Sequence, residues 1–149
     1  MRYPLLFSEG RIGSVILRNR VVLPPLEVGM ANFDGTPSEQ LIAYYEERAK
    51  NGLGLLMTGI TRVNERHGAG LPRQLAMTSD RHIEPFARMV ERIHRHGTKI
   101  FCQLHHPGRQ TLGDTCGQHQ TEMPGEPTRD APCQQQNHGT HIGGAVAIA

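Results

Sequence analysis

The chain has no CxxC pair, no excess of charge of one sign and no long hydrophobic run. Its three cysteines, at 102, 116 and 133, are an odd number with neither a disulfide-framework pattern nor zinc-ligand spacing. That leaves a reducing cytoplasm as the expected location and no metal as the expected state. Sixteen Lys and Arg stand against fourteen Asp and Glu, a net of +2 in 149 residues. A nucleic-acid partner relying on a basic field is therefore not expected. No segment approaches the roughly 18–20 apolar residues that span a bilayer, and residues 1–9 hold too short an apolar stretch for a secretory leader. No G-x-G-x-x-G follows any candidate strand, which argues against a dinucleotide-binding turn.

What is present is an alternation of strand-like and helix-like blocks over residues 1–112. Ile12, Val15 and Leu17 alternate with polar neighbours near Gly10 and predict a small hairpin. Residues 21–23 are β-formers without alternation, as in a strand buried on both faces, and Pro24-Pro25 ends it because neither residue can donate to a ladder. Thr36 as N-cap, Pro37 at the first helical position and Glu39 three after the cap predict a helix start, with Leu41, Ile42, Tyr45 and Ala49 on one face and Asn51-Gly52 as the stop. Residues 53–60 read as a second buried strand and residues 61–78 as a long polar loop. A second helix begins near residues 80–85, carries the stripe Ile83, Phe86, Ala87, Val90 and Ile93, and closes at Gly97. Residues 98–104 form the third strand, followed by a turn at residues 105–109.

Repeated βα units imply parallel strands joined by right-handed crossovers, in either a doubly wound sheet or a (β/α)8 barrel. In a barrel the chemistry gathers at the C-terminal ends of the strands. The unusual residues fall there: Pro24-Pro25, Thr58-Gly59, and Gln103 with His105 and His106. A carboxamide such as that of Gln103 can donate and accept in one plane, and a glycine such as Gly59 lets a ring approach closely. Each has an ordinary reading beside it: Gln103 as a polar residue where a strand meets solvent, Gly59 as a strand-end glycine, Pro24-Pro25 as a terminator. His106 and Arg109 could serve the loop alone, and Tyr44 and Tyr45 read as helix packing. Arg62, Arg66 and Arg73 could meet an anionic substrate or form a solvated loop. His94 and His96 do not share a helical face, and His138, His141 and Cys133 match no common metal spacing.

Leu6-Phe7, Ile12-Gly13, residues 17–20, Pro24-Pro25-Leu26, residues 34–37 leading into residues 44–49, Ser79-Asp80, and the run 103–109 (Gln-Leu-His-His-Pro-Gly-Arg) occur in an order that is specific. Together they resemble the N-terminal part of the Old Yellow Enzyme-like NADH:flavin oxidoreductase/NADH oxidase family, most closely its 2,4-dienoyl-CoA reductase branch. The resemblance implies the first part of a (β/α)8 TIM barrel with a preceding β-hairpin. It implies noncovalent FMN, NAD(P)H as hydride donor, and a small-molecule acceptor of the enone or enoyl type, with no nucleic acid and no membrane. Carried onto this chain, the backbone at Pro24, Pro25 and Leu26 would face the isoalloxazine. Gly59 would make room for the ring, and the Gln103 amide would bond its pyrimidine edge. Of the two histidines only His106 matches the family pattern, as a further site candidate. The family's proton donor and substrate anchors have no counterpart here, so the catalytic residues are not assigned. The cysteines of a 4Fe–4S cluster in full-length relatives would lie later still, and this chain holds no ligands for one. Neither the oligomeric state nor the choice between NADH and NADPH is readable.

Residues 113–149 depart from this pattern. From 113 to 141 the segment is Gln, His, Gly, Pro, Thr and charge, with Met123, Ala131 and two cysteines as its only apolar residues. Such a composition buries too little to offset chain entropy, so an irregular, disordered tail is expected, with no fourth strand. The abrupt change suggests a shifted or broken reading frame near Leu112. Three strands fall short of a barrel of about 250 residues. A truncated oxidoreductase is therefore expected, binding flavin weakly at most and inactive alone. The alternatives are a noncatalytic remnant and an unrelated small α/β binding module.

Overall fold

The computed structural model describes residues 2–108 and the backbone of Gly144–Ile148. The chain opens with an antiparallel hairpin, β1 (Gly10–Ile12) against β2 (Val15–Leu17), as its alternation predicts. β3 (Val22–Leu23), β4 (Leu55–Arg62) and β6 (Lys99–His105) then form a parallel sheet in the order β3-β4-β6. The helices α1 (Glu39–Lys50) and α2 (Ile83–His94) cross between them.

Both helices cover the same face of the sheet. Leu41, Ile42, Tyr45 and Ala49 of α1 and Phe86, Met89, Val90 and Ile93 of α2 form one buried cluster with Leu56 of β4 and Ile100 and Cys102 of β6. The register pairs Leu56 with Ile100, which puts these residues side by side. The opposite face carries Met57, Ile60, Phe101 and Gln103, all half-buried, with Met57 paired to Phe101 and Ile60 to Gln103. A parallel sheet with successive helices on one side is the open arc of an α/β barrel, and the half-buried residues line its inner face.

Four local readings are corrected. The N-cap of α1 is Ser38, not Thr36: the Ser38 hydroxyl accepts from the Leu41 N–H at 3.1 Å and also donates to the Met30 carbonyl. Thr36 is instead held in a turn, where its N–H and hydroxyl both donate to Asp34 Oδ1 at 2.9 and 2.7 Å. The competing local bond to Asp34 wins, and Glu39 becomes the first helical residue. On α2 the buried row is 86, 89, 90 and 93. Ile83 and Ala87 turn to the outer flank, where with Phe86 and His94 they line a groove of about 510 Å³. The loop read as residues 61–78 loses Thr61 and Arg62 to β4 and contains β5 (Leu75–Ala76), which pairs with those two residues. A tight turn at Gly35 (φ +85°) docks on β5, where a side chain at 35 would stand 2.3 Å from the Ala76 Cβ. Finally, Gly144–Ile148 is a strand, β7, antiparallel to β6, although no fourth strand is legible after residue 112. Its five residues are short and apolar, and the open edge of β6 supplies the ladder that their own composition does not specify.

An ion network joins the helices. Glu39 accepts from Arg88 and Arg92, each at 2.7 Å; Glu46 meets Arg92, and a His96 ring nitrogen stands 3.2 Å from it. Arg92 first, then His96, holds the Glu46 carboxyl down at about 2. A depressed carboxyl contributes stability that is complete above the unfolded value and is lost as pH falls toward the folded one.

Two expectations follow for denaturant unfolding of the chain. Met89→Ala lowers stability by about 2–4 kcal/mol, whereas Ile83→Ala stays within about 0.5 kcal/mol; equal costs would contradict the facing of α2. In a pH series, Glu46→Gln flattens the loss of stability between pH 4.5 and about 2. An acid limb identical to wild type would show that Glu46 is not its source.

Candidate functional site

The C-terminal ends of β3, β4 and β6 lie together because the strands are parallel and in register. On β3, the chain passes from Leu23 into exposed Pro24, half-buried Pro25 and exposed Leu26. The missing proline N–H groups free this segment from the ladder.

On β4 the ladder to β6 is irregular between Met57 and Ile60. This bulge frees the Gly59 amide, which donates to the Tyr45 phenol oxygen at 2.9 Å. Tyr45 is buried under α1, and burial pushes its hydroxyl well above the ordinary phenol range. The buried Thr58 hydroxyl donates to the Gly59 carbonyl at 2.9 Å and accepts from the Gln103 N–H at 3.2 Å. Tyr45 and Thr58 therefore fix the two strand tips relative to each other. Sequence reasoning treated Tyr45 as packing only; the signal available was a polar tip on an otherwise apolar helical face.

Gly59 has a specific steric reason. A methyl group there would stand 2.9 Å from the Leu26 carbonyl and 2.8 Å from Glu27 Oε2. The first occupant of the space left by the missing side chain is thus the loop after β3. Glu27 itself escaped the sequence reading. Its Oε1 accepts from the Gly29 N–H at 2.9 Å, while Oε2 is buried with no hydrogen-bond partner among the described residues. Burial pushes this carboxyl up, opposed by the N–H groups of Gly29 and Val28.

Gln103 stands half-buried on the inner face, across from Ile60. Its backbone is tied to Thr58, and its carboxamide makes no hydrogen bond among the described residues. β6 runs one residue further than expected, so His105 ends the strand with Nδ1 at 3.5 Å from the Gln74 amide nitrogen. His106 Nδ1 accepts from the Gly108 N–H at 3.1 Å, which gives it a role in the turn and, in the neutral ring, puts the proton on Nε2. The arginine loop does not form a free cationic cluster. Arg62 is buried and faces Glu65 at 3.6 Å; Arg73 donates to the Ala31 carbonyl at 2.8 Å and lies over the Phe33 ring. Among the described residues no group of three His, Cys, Asp or Glu could hold a metal ion, and no helix is long and apolar enough to cross a membrane. Arg109, Cys116, Cys133, His138 and His141 lie outside the described residues.

The family model of the NADH:flavin oxidoreductase / NADH oxidase family matches residues 5–142. The chain belongs to this family. The match runs past residue 112, where composition alone places a boundary. A NADH oxidase from Thermoanaerobacter brockii is 44% identical over 109 residues, covering 73% of this chain and 17% of that enzyme. A cinnamate reductase from Clostridium sporogenes is 40% identical over 107 residues, covering 69% of this chain and 16% of that enzyme. Among solved structures, the old yellow enzyme from Trypanosoma cruzi superposes with a TM-score of 0.70 at 32% identity, over 77% of this chain and 30% of that one. The chain thus spans about a sixth of the length of these curated relatives, and its fold is a partial α/β barrel of the old yellow enzyme kind.

For this member of the flavin oxidoreductase family, Tyr45→Phe leaves the buried Gly59 N–H without its acceptor and costs about 1–3 kcal/mol. Urea unfolding measures it. A change below about 0.5 kcal/mol would show that the Tyr45 hydroxyl does not tie α1 to β4.

Proposed function

We propose that these residues form the ring-binding part of an FMN site in an oxidoreductase that moves hydride from NAD(P)H to an activated alkene of the enone or enoyl type. When bound, FMN supplies the hydride acceptor and donor; the chain supplies recognition, orientation and shielding. The observation that carries the reading is the Gln103 carboxamide, half-buried on the inner face at a strand tip and without a hydrogen-bond partner among the described residues. A planar group that donates and accepts side by side suits the alternating N–H and C=O groups of a flavin pyrimidine, so the donor set fits the cofactor.

The other residues have supporting parts in this proposal. The backbone at Pro24, Pro25 and Leu26 would lie against the isoalloxazine, on a segment freed from the ladder by its prolines. Gly59 would let the Leu26–Glu27 loop close on the tip of β4 and so bring the Leu26 backbone to the ring. The bond from the Gln103 N–H to Thr58 would hold the carboxamide's backbone in place. His106 would border the site while its ring closes the turn to Gly108. With Arg62 facing Glu65 and Arg73 bonded to Ala31, these residues would hold the ring and not the phosphate. The alkene acceptor is favoured by the cinnamate reductase among the relatives, whose name specifies an unsaturated acid. A reducing, cytoplasmic setting is favoured by the odd cysteine count and by Cys102, buried and free. Residues 1–112 would make up the flavin-binding unit, with residues 113–149 outside it.

The test is FMN titration of the full chain, followed by quenching of flavin fluorescence. Weak, saturable binding is expected. Gln103→Ala weakens it about tenfold, the equivalent of about two lost hydrogen bonds at 0.5–1.5 kcal/mol each. No saturable binding, or an unchanged dissociation constant in the variant with wild-type circular dichroism, would overturn the assignment.

A further inference from the structure

The first twenty residues have a charge and a surface that the flavin reading does not use. Arg2, Arg11, Arg18 and Arg20 stand there against one acidic residue, Glu9, a net of +3 in a chain whose total is +2. All other residues together therefore sum to −1. The pairing differs as well. Lys50, Arg62, Arg81, Arg88, Arg92 and Arg95 each form an ion pair, and among the described residues none of the four early arginines does. Arg11 and Arg20 donate to the backbone carbonyls of Gly13 and Glu9 at 2.9 and 3.3 Å. A carbonyl satisfies an N–H without cancelling the charge.

The same segment is apolar at its surface. Tyr3, Leu5, Leu6, Phe7, Ile12 and Ile16 are all exposed, Leu5 to 76%. They are interleaved with the cations. The Leu6 carbonyl accepts from the Arg20 N–H at 2.9 Å, Ile16 stands opposite Arg11 in the hairpin ladder, and the Arg2 guanidinium lies over the Tyr3 ring. Single exposed apolar residues are ordinary, whereas large ones gathered in one segment with a charged rim mark a contact surface. Arg18 and Asn19 fasten this surface to the start of β4, donating to the Leu53 and Gly52 carbonyls at 3.0 and 2.7 Å. It therefore lies at the opposite end of the sheet from the strand tips at Gly59 and Gln103.

We propose that this patch docks the chain on an anionic lipid bilayer. The apolar side chains enter the headgroup boundary, the Tyr3 and Phe7 rings among them, and Arg2, Arg11 and Arg20 meet the lipid phosphates. The two halves of the patch select this occupant together. A nucleic acid would satisfy the arginines and leave the aliphatic side chains in water, and a neutral apolar partner would leave the charge unmet. The contact lies on the membrane and not across it, since no helix among the described residues is long and apolar enough to span. The proposal is independent of the FMN reading.

The experiment is flotation of the full chain, without FMN, with vesicles of phosphatidylcholine alone or with about a third phosphatidylglycerol. The chain is expected to float with the anionic vesicles only, and less at high salt. Arg11→Gln is expected to weaken partitioning about fivefold, the worth of one basic residue near a charged surface. Leu5→Ser combined with Phe7→Ser is expected to weaken it more than about tenfold, and Arg88→Gln on α2 to leave it unchanged. No flotation with anionic vesicles, equal flotation with neutral ones, or unaltered partitioning of both patch variants overturns the proposal. So does a chain that does not float but forms a dimer split by the Leu5/Phe7 variant, because the patch then belongs to a second copy. The dependence of the wild-type chain on lipid charge and salt decides the matter if a variant fails to fold.

Discussion

The amide of Gly59 leaves the β4 ladder and donates to the Tyr45 phenol of α1, and the arrangement of the site depends on that one bond. A central strand with neighbours on both sides ordinarily spends every amide on the sheet. Here the irregularity between Met57 and Ile60 turns one amide toward the helix layer instead. The Gly59 carbonyl, turned with it, accepts from Thr58, and Thr58 in turn receives the Gln103 N–H. One helix, two strand tips and the loop after β3 therefore meet at a residue without a side chain. Any Cβ at 59 would displace the Leu26 carbonyl and the Glu27 carboxyl together.

The helices impose the second constraint. Because α1 and α2 lie on one face of the sheet, their apolar rows complete a core with Leu56, Ile100 and Cys102, and the other face is left to Met57, Ile60, Phe101 and Gln103. Polar atoms such as the Gln103 carboxamide can stand on that inner face, because the helix layer already supplies the tight packing. The charged groups between α1 and α2 are confined to the outer surface, where Glu39, Glu46, Arg88 and Arg92 link the helices without entering the core. At the open edge of β6, Gly144–Ile148 adds an antiparallel strand where the strand order of a barrel calls for a parallel one. An unpaired edge accepts either direction, since both satisfy its backbone groups.

Much of this was legible from residue order. The hairpin, the three parallel strands, the two helices and the buried row of α1 follow from periodicity and from punctuation by Pro and Gly. Local competition obscured the helix start, where Asp34 captures Thr36 and leaves the cap to Ser38. Long-range pairing obscured β5, since two residues carry no periodicity and become a strand only beside Thr61 and Arg62. On α2 the apolar stripe is wider than the buried row. Apolarity at Ile83 and Ala87 could not tell which flank meets the sheet. Glu27 had no sequence signal, because a charged residue in a loop is ordinarily solvated.

Residue order by itself determined the βα alternation and the clustering of unusual residues at strand ends, which rest on local composition and spacing, and it carried the resemblance to the family in the order of its motifs. Only the tertiary structure decided that Tyr45 bonds Gly59, that Glu27 carries a buried oxygen without a hydrogen-bond partner among the described residues, and that Arg62 faces Glu65 while Arg73 bonds Ala31. The physical reason is distance along the chain. The Tyr45–Gly59 and Arg73–Ala31 contacts join residues 14 and 42 positions apart, and the partner each of these polar groups meets is set by the packing of helices on the sheet and not by its sequence neighbours.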